Sequence, residues 1–247
     1  SLQGMEPILV VLAFATLSAF MAPIGVLPLR TRQAVPSAWI GWANSLAAGF
    51  MLGTAYLLAE IALIGHPVRA AVGGLLGIGY AYLSHLASGV EDVDLNRLED
   101  VDPLYGYRIL FVGGLHGAME GLAIGLAMLE SLPFGILVAL ALAVHNIPEA
   151  AILGSVLRSA GLGVSRTAGL AVAANVGQVL FAVVAFAVVP AIPGLLPWAL
   201  GFAAGGLSYL VLSELLPQAY ERAGPVSIGL VTSVATGFVV LLGGLAG

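Results

Sequence analysis

Eight apolar runs, each of twenty or more residues, follow one another along this chain with few polar residues between them. They fall near 7–29, 38–64, 68–88, 108–129, 133–158, 164–189, 196–220 and 225–246. A helix rises about 1.5 Å per residue, so roughly 20 apolar residues cover the hydrocarbon core of a bilayer. Each run is long enough. The runs show no alternation of apolar and polar residues, and they are too long for tilted transmembrane strands. The predicted fold class is an all-α polytopic membrane protein, with residues 1–247 forming one transmembrane domain of eight transmembrane helices.

Composition closes off the other classes. Only 9% of the residues are charged, against about 25% in an ordinary soluble domain. That is too few to cover a soluble surface, and the mean hydropathy of +1.06 agrees. Soluble enzymes, nucleic-acid binders and disordered segments are excluded on this ground. The net charge of −5 leaves no basic face for nucleic acid. With no cysteine in the chain, thiolate ligands and disulfides do not arise.

Arginine placement sets the expected orientation. Arg30, Arg32, Arg97, Arg108, Arg158, Arg166 and Arg222 follow odd-numbered runs, and Arg69 alone follows an even-numbered one. Cytoplasmic loops collect basic residues, so both termini are expected outside the cytoplasm, in a cell (inner or plasma) membrane. The long joint at 89–107, which repeats Glu-Asp-Val-Asp at 91–94 and 99–102, is then cytoplasmic.

Ionisable side chains at membrane depth are costly and mark functional positions. The clearest are His116 and Glu120 in the fourth run, and His145 and Glu149 in the fifth. They form an internal repeat at an offset of 29: both stretches read H-x-x-x-E-[G/A]-x-x-x-G. A spacing of four puts His and Glu on one helical face, one turn apart. The turn at Ser131-Leu132-Pro133 is short, so the two helices pack antiparallel, side by side. Two imidazoles and two carboxylates around one centre suit a borderline divalent cation: zinc is the first expectation, with cadmium, iron and manganese also served by such a set. Pro148 has no N–H to give the carbonyl of Val144, which kinks the backbone beside His145. Glu60, His85 and Glu214 lie nearer span ends and are candidate pathway residues.

Two rival readings use the same residues. A proton-relay carrier or channel needs no bound metal. An intramembrane metalloprotease needs an open metal position and a general base, but its usual H-E-x-x-H signature is absent. Small residues recur every fourth position at Gly113, Gly117, Gly121 and Gly125, and pairwise at Gly49 and Gly53, Gly73 and Gly77, and Gly201 and Gly205. Such stripes let helix backbones approach closely in lipid.

Eight spans with both ends outside, a long joint after the third and H-x-x-x-E faces in the fourth and fifth resemble the ZIP (Zrt-, Irt-like protein) metal-transporter family, bacterial type. His145-Asn146-Ile147-Pro148-Glu149 is similar to its H-N-x-P-E motif, and His116 to Gly121 is similar to the partner motif. The resemblance implies a transporter rather than an enzyme, moving a divalent metal toward the cytoplasm by an elevator-type mechanism. It also implies a 3+2+3 arrangement, with spans 1–3 and 6–8 related as an inverted repeat, and it is compatible with a homodimer. Met51 matches a methionine that approaches the primary site, which then comprises Met51, His116, Glu120, His145 and Glu149. Gly117 and Met119 depart from the family's asparagine and proline. Asn146 and Gln178 stand at the second-site positions and are neutral, which implies one strong site and a weak second one.

Overall fold

In the computed structural model, which describes residues 6–31, 35–88 and 103–246, nearly every residue is helical and no strand occurs among those described. Seven helices follow in order among the described residues: α1 (Pro7–Arg30), α2 (Ser37–Gly65), α3 (Pro67–Ser88), α4 (Pro103–Glu130), α5 (Leu132–Ser159), α6 (Val164–Ala191) and α7 (Leu196–Leu245). Among the described residues α1, α2, α5, α6 and α7 are long and apolar enough to cross a membrane. At 22 and 28 residues, α3 and α4 also have the length of a span. The chain is an all-α membrane protein. Residues 89–102 of the acidic joint lie outside the described residues, and α4 has begun by Pro103.

Local chemistry sets the helix ends. Pro7, Pro67 and Pro103 stand first in α1, α3 and α4, where a backbone N–H would have no intrahelical partner anyway. Ser131 caps α5, its side chain accepting from the Phe134 N–H at 3.2 Å. The α4–α5 joint is therefore as tight as its sequence implies.

The seventh and eighth apolar runs both fall in α7. A straight helix of its 50 residues would be about 75 Å long, far more than one bilayer. It is not straight. Gly224 leaves helical geometry (φ 75°, ψ −180°), a region open to glycine and strained for other residues, and Pro225 follows. The contacts with α2 trace the result. Before the break, Asn44 Nδ2 donates to Gln218 Oε1 at 3.2 Å, and Gly41 packs on Arg222 and Ala223. After it, Thr232 donates to the Ser45 carbonyl at 2.8 Å, Thr236 donates to the Gly49 carbonyl at 3.1 Å, and Gly243 meets Leu57. Partner numbers on α2 fall and then rise, so the two arms of α7 run antiparallel.

Glycine governs how the helices pair. In one group, Gly25 of α1 rests on the Ile147 carbonyl of α5, and Gly121 and Gly125 of α4 rest on the Gln178 and Ala182 carbonyls of α6. In the other, Gly73 and Gly77 of α3 meet the carbonyls of Trp198 and Phe202, while Gly201 and Gly205 meet those of Ala70 and Gly74. A Cβ at any of these positions would collide with a backbone oxygen, so each contact requires glycine. The expected stripe on the fourth span thus operates from Gly121 to Gly125, and Gly117 lies close to Gln178 as well. Gly113 lies outside the residues whose surroundings are described. Between the groups, α2 packs on α5 and α4 on α7, and there Met119 fills the space above Gly206.

Candidate metal centre

Antiparallel packing of α4 and α5 decides which groups meet. Counted from Ser131, His116 lies fifteen residues before and His145 fourteen after, so the histidines stand level. Glu120 and Glu149 then lie one turn to either side of that level. The structure follows this geometry for three of the four. Glu120, His145 and Glu149 each offer a ligand atom, all within 4.8 Å of one another. His145 Nε2 lies 3.1 Å from Glu120 Oε1 and 3.9 Å from Glu149 Oε2.

The centre is closed on one side. Glu120 is 1% exposed and His145 7%, whereas the Glu149 side chain keeps 34% of its surface. Glu120 Oε2 and His145 Nδ1 are buried without a hydrogen-bond partner. Buried polar atoms left unpaired are costly and call for an explanation. Carboxylate oxygens beside an imidazole are a donor set that a zinc-group cation accepts.

His116 is not part of this cluster. Its Nε2 lies 3.5 Å from Glu214 Oε1, and His85 Nδ1 lies 3.3 Å from the same oxygen. Glu214 of α7, an expected pathway residue, thus joins His85 of α3, another, to the histidine one turn from Glu120. Glu214 sits in a π-helical stretch of α7, Val211–Leu215, a local widening that recurs at functional sites. Nothing in the sequence signals that stretch.

Met51 is fully buried in α2. Glu60 is exposed, and nine residues further along a helix means half a revolution from Met51. The structure therefore does not bring Glu60 to the centre.

Asn146 and Gln178 are both fully buried and bonded to each other. Asn146 Nδ2 donates to Gln178 Oε1 and to the Ser18 carbonyl, each at 3.0 Å, and lies 3.3 Å from Ser18 Oγ. Gln178 Nε2 donates to Ser18 Oγ at 3.0 Å. This neutral network ties α1, α5 and α6 together. Ser18 was not visible as a participant, because a lone serine in an apolar run carries no pattern.

Comparison with known proteins agrees with the fold and motifs. Residues 93–246, more than half of the chain, match the family described as ZIP Zinc transporter. A protein of Arabidopsis thaliana provisionally named a zinc transporter is 29% identical over 226 residues, covering 90% of this chain and 36% of the relative. Zinc transporter GufA of Myxococcus xanthus is 35% identical over 132 residues, covering 52% of this chain and 50% of the relative. The chain thus spans half or less of the length of these curated relatives. The match extends through α4, α5, α6 and α7, and so includes both H-x-x-x-E motifs: the chain belongs to the ZIP zinc transporter family.

Proposed function

We propose that this chain carries a divalent metal ion, zinc first, across a cell membrane toward the cytoplasm. The observation that carries the reading is the convergence of Glu120, His145 and Glu149, on helices α4 and α5, within 4.8 Å. The ion is substrate, and its primary site comprises Met51, His116, Glu120, His145 and Glu149. His116, one turn from Glu120, swings between this site and the group formed with His85 and Glu214, which is the next station on the pathway. Glu60 takes no part. Asn146 and Gln178 stand in a second position that holds no tightly bound ion.

The same reading has eight spans in a 3+2+3 arrangement, the two arms of α7 crossing separately. What supports it is the pattern of close pairs. Residue numbers rise together between α1 and α5, between α4 and α6, between α3 and the first arm of α7, and between α2 and the second arm. Parallel neighbours must have the same parity in an alternating bundle, and all four pairs do. An inverted repeat exchanges spans 1–3 with 6–8 and span 4 with 5. It turns the first pair into the second and the third into the fourth.

An elevator motion suits the same packing. Backbone-tight glycine contacts lie within each group of helices, whereas the groups meet across α2–α5 and α4–α7, where the flexible Met119 covers Gly206. The group of α1, α4, α5 and α6 then slides as a body along α2, α3 and α7, carrying the ion with it.

Purified protein in liposomes loaded with a zinc-sensitive dye tests the function. Saturable zinc uptake is expected, with cadmium, iron(II) and manganese as competitors that rank the selectivity. Vesicles that take up none of the four contradict it. Orientation has its own test in this cysteine-free chain. Cysteine at Leu98 should resist an impermeant maleimide applied to intact cells, and labelling from outside would reverse the topology.

A further inference from the structure

Eight serine and threonine side chains are buried among the described residues, and seven of them are hydrogen-bonded. Thr54 is the exception. It is fully buried in α2, and its Oγ1 has no partner. Helical hydroxyls ordinarily donate to the carbonyl one turn back, as Ser45, Ser155 and Thr167 do here. Thr54 leaves that bond unmade. An unpaired buried hydroxyl costs stability, and valine would supply the same shape without the cost. A threonine kept in this state points to a use outside the fold.

Its position says which use. Thr54 follows Met51 by three residues, one turn along and about 60° round the helix. The Met51 face is opposite the one on which Gly49 and Gly53 meet the second arm of α7, and Thr54 stands at its edge, about 100° round from Gly53. Its apolar members Ala47, Met51, Ala55 and Leu58 share a core with Met119 and Ile124 of α4 and Leu142 of α5. These are the helices that supply Glu120 and His145. Apart from Thr54, that stretch of α2 presents a thioether and aliphatic groups.

We propose that Thr54 is a positioning residue for the transported ion, its hydroxyl hydrogen-bonding to a water molecule that the ion retains as it passes the Met51 side of the centre. A divalent ion in a membrane interior needs an oxygen contact for each water it still carries. A hydroxyl not engaged by its own helix supplies one. The inference rests on the reading of Met51, Glu120, His145 and Glu149 as the metal centre.

The test is zinc uptake kinetics in proteoliposomes together with the melting temperature of each purified variant. Thr54→Val should raise the apparent KM about fivefold, the net worth of one ordinary hydrogen bond, with Tm unchanged or higher. Thr54→Ser should recover most of the lost affinity; if the valine protein does not accumulate, Thr54→Ala gives the same reading. A wild-type KM in Thr54→Val overturns the proposal, as does a raised KM that comes with a lowered Tm and is not rescued by serine. His145→Ala is measured alongside. If it is inactive while Thr54→Val keeps the wild-type KM, only the role of Thr54 fails. If His145→Ala transports normally, the centre is misassigned and the role of Thr54 falls with it.

Discussion

Replacing His145 by alanine is expected to abolish zinc uptake while leaving the protein in the membrane. His145 Nε2 stands between the two carboxylates, 3.1 Å from Glu120 Oε1 and 3.9 Å from Glu149 Oε2, so its loss removes the group that both acids share. Even outer-shell partners of metal ligands cost 10- to 100-fold in affinity or activity, and a direct ligand should cost roughly 100-fold or more. The fold should survive, because the helices are joined by glycine-mediated backbone contacts such as Gly25 on Ile147 and Gly121 on Gln178. Glu149→Ala should behave the same way, since Glu149 is the partly exposed acid at the open side of the centre. Met51→Ala should retune selectivity instead, because a thioether is a weak donor and the charged ligands remain. Radiolabelled zinc uptake, normalised to protein in the membrane, checks all three. Wild-type uptake by Glu149→Ala would remove the proposed site.

The double variant Asn146→Asp with Gln178→Glu should turn a structural network into a second metal site. In the native protein the two amides bond to each other at 3.0 Å and to Ser18, and neither carries charge. A second divalent ion there would face the first with only Glu120 and Glu149 to offset four positive charges. Two carboxylates in place of the amides reverse the balance. Held about 3 Å apart, two unit negative charges repel by about 5 kcal/mol at an effective dielectric near 20, a penalty that a bound cation removes. The variant should therefore be destabilised without metal and gain a large, zinc-dependent rise in Tm, since a ligand that binds only the folded state stabilises it. Calorimetry with and without zinc reads this out. A variant whose melting temperature ignores zinc would show that these positions do not form a metal pocket.

Much of this was legible in the residues, and the limit has a physical cause. Periodicity places side chains on faces, so the H-x-x-x-E repeat and the short turn at Ser131 were enough to bring Glu120, His145 and Glu149 together. The reversal at Gly224-Pro225 was legible as turn chemistry, although the helix is otherwise continuous over 50 residues. Periodicity does not say which helix a face meets. His116 therefore turned out to lie against Glu214, nearly a hundred residues away, and Asn146 and Gln178 proved to share Ser18 of α1. Glu60 and His85 read alike as polar residues near span ends. Only packing separates them: His85 meets Glu214, while Glu60 is exposed on the far side of α2 from Met51.

The central claim is a single divalent-metal centre built on Glu120, His145 and Glu149, and metal content tests it most directly. The unmodified protein, purified, supplied with near-stoichiometric zinc and freed of excess, should hold one zinc per chain by elemental analysis. His145→Ala treated identically should hold close to none. Two tightly held ions per chain, or none in the unmodified protein, would contradict the account.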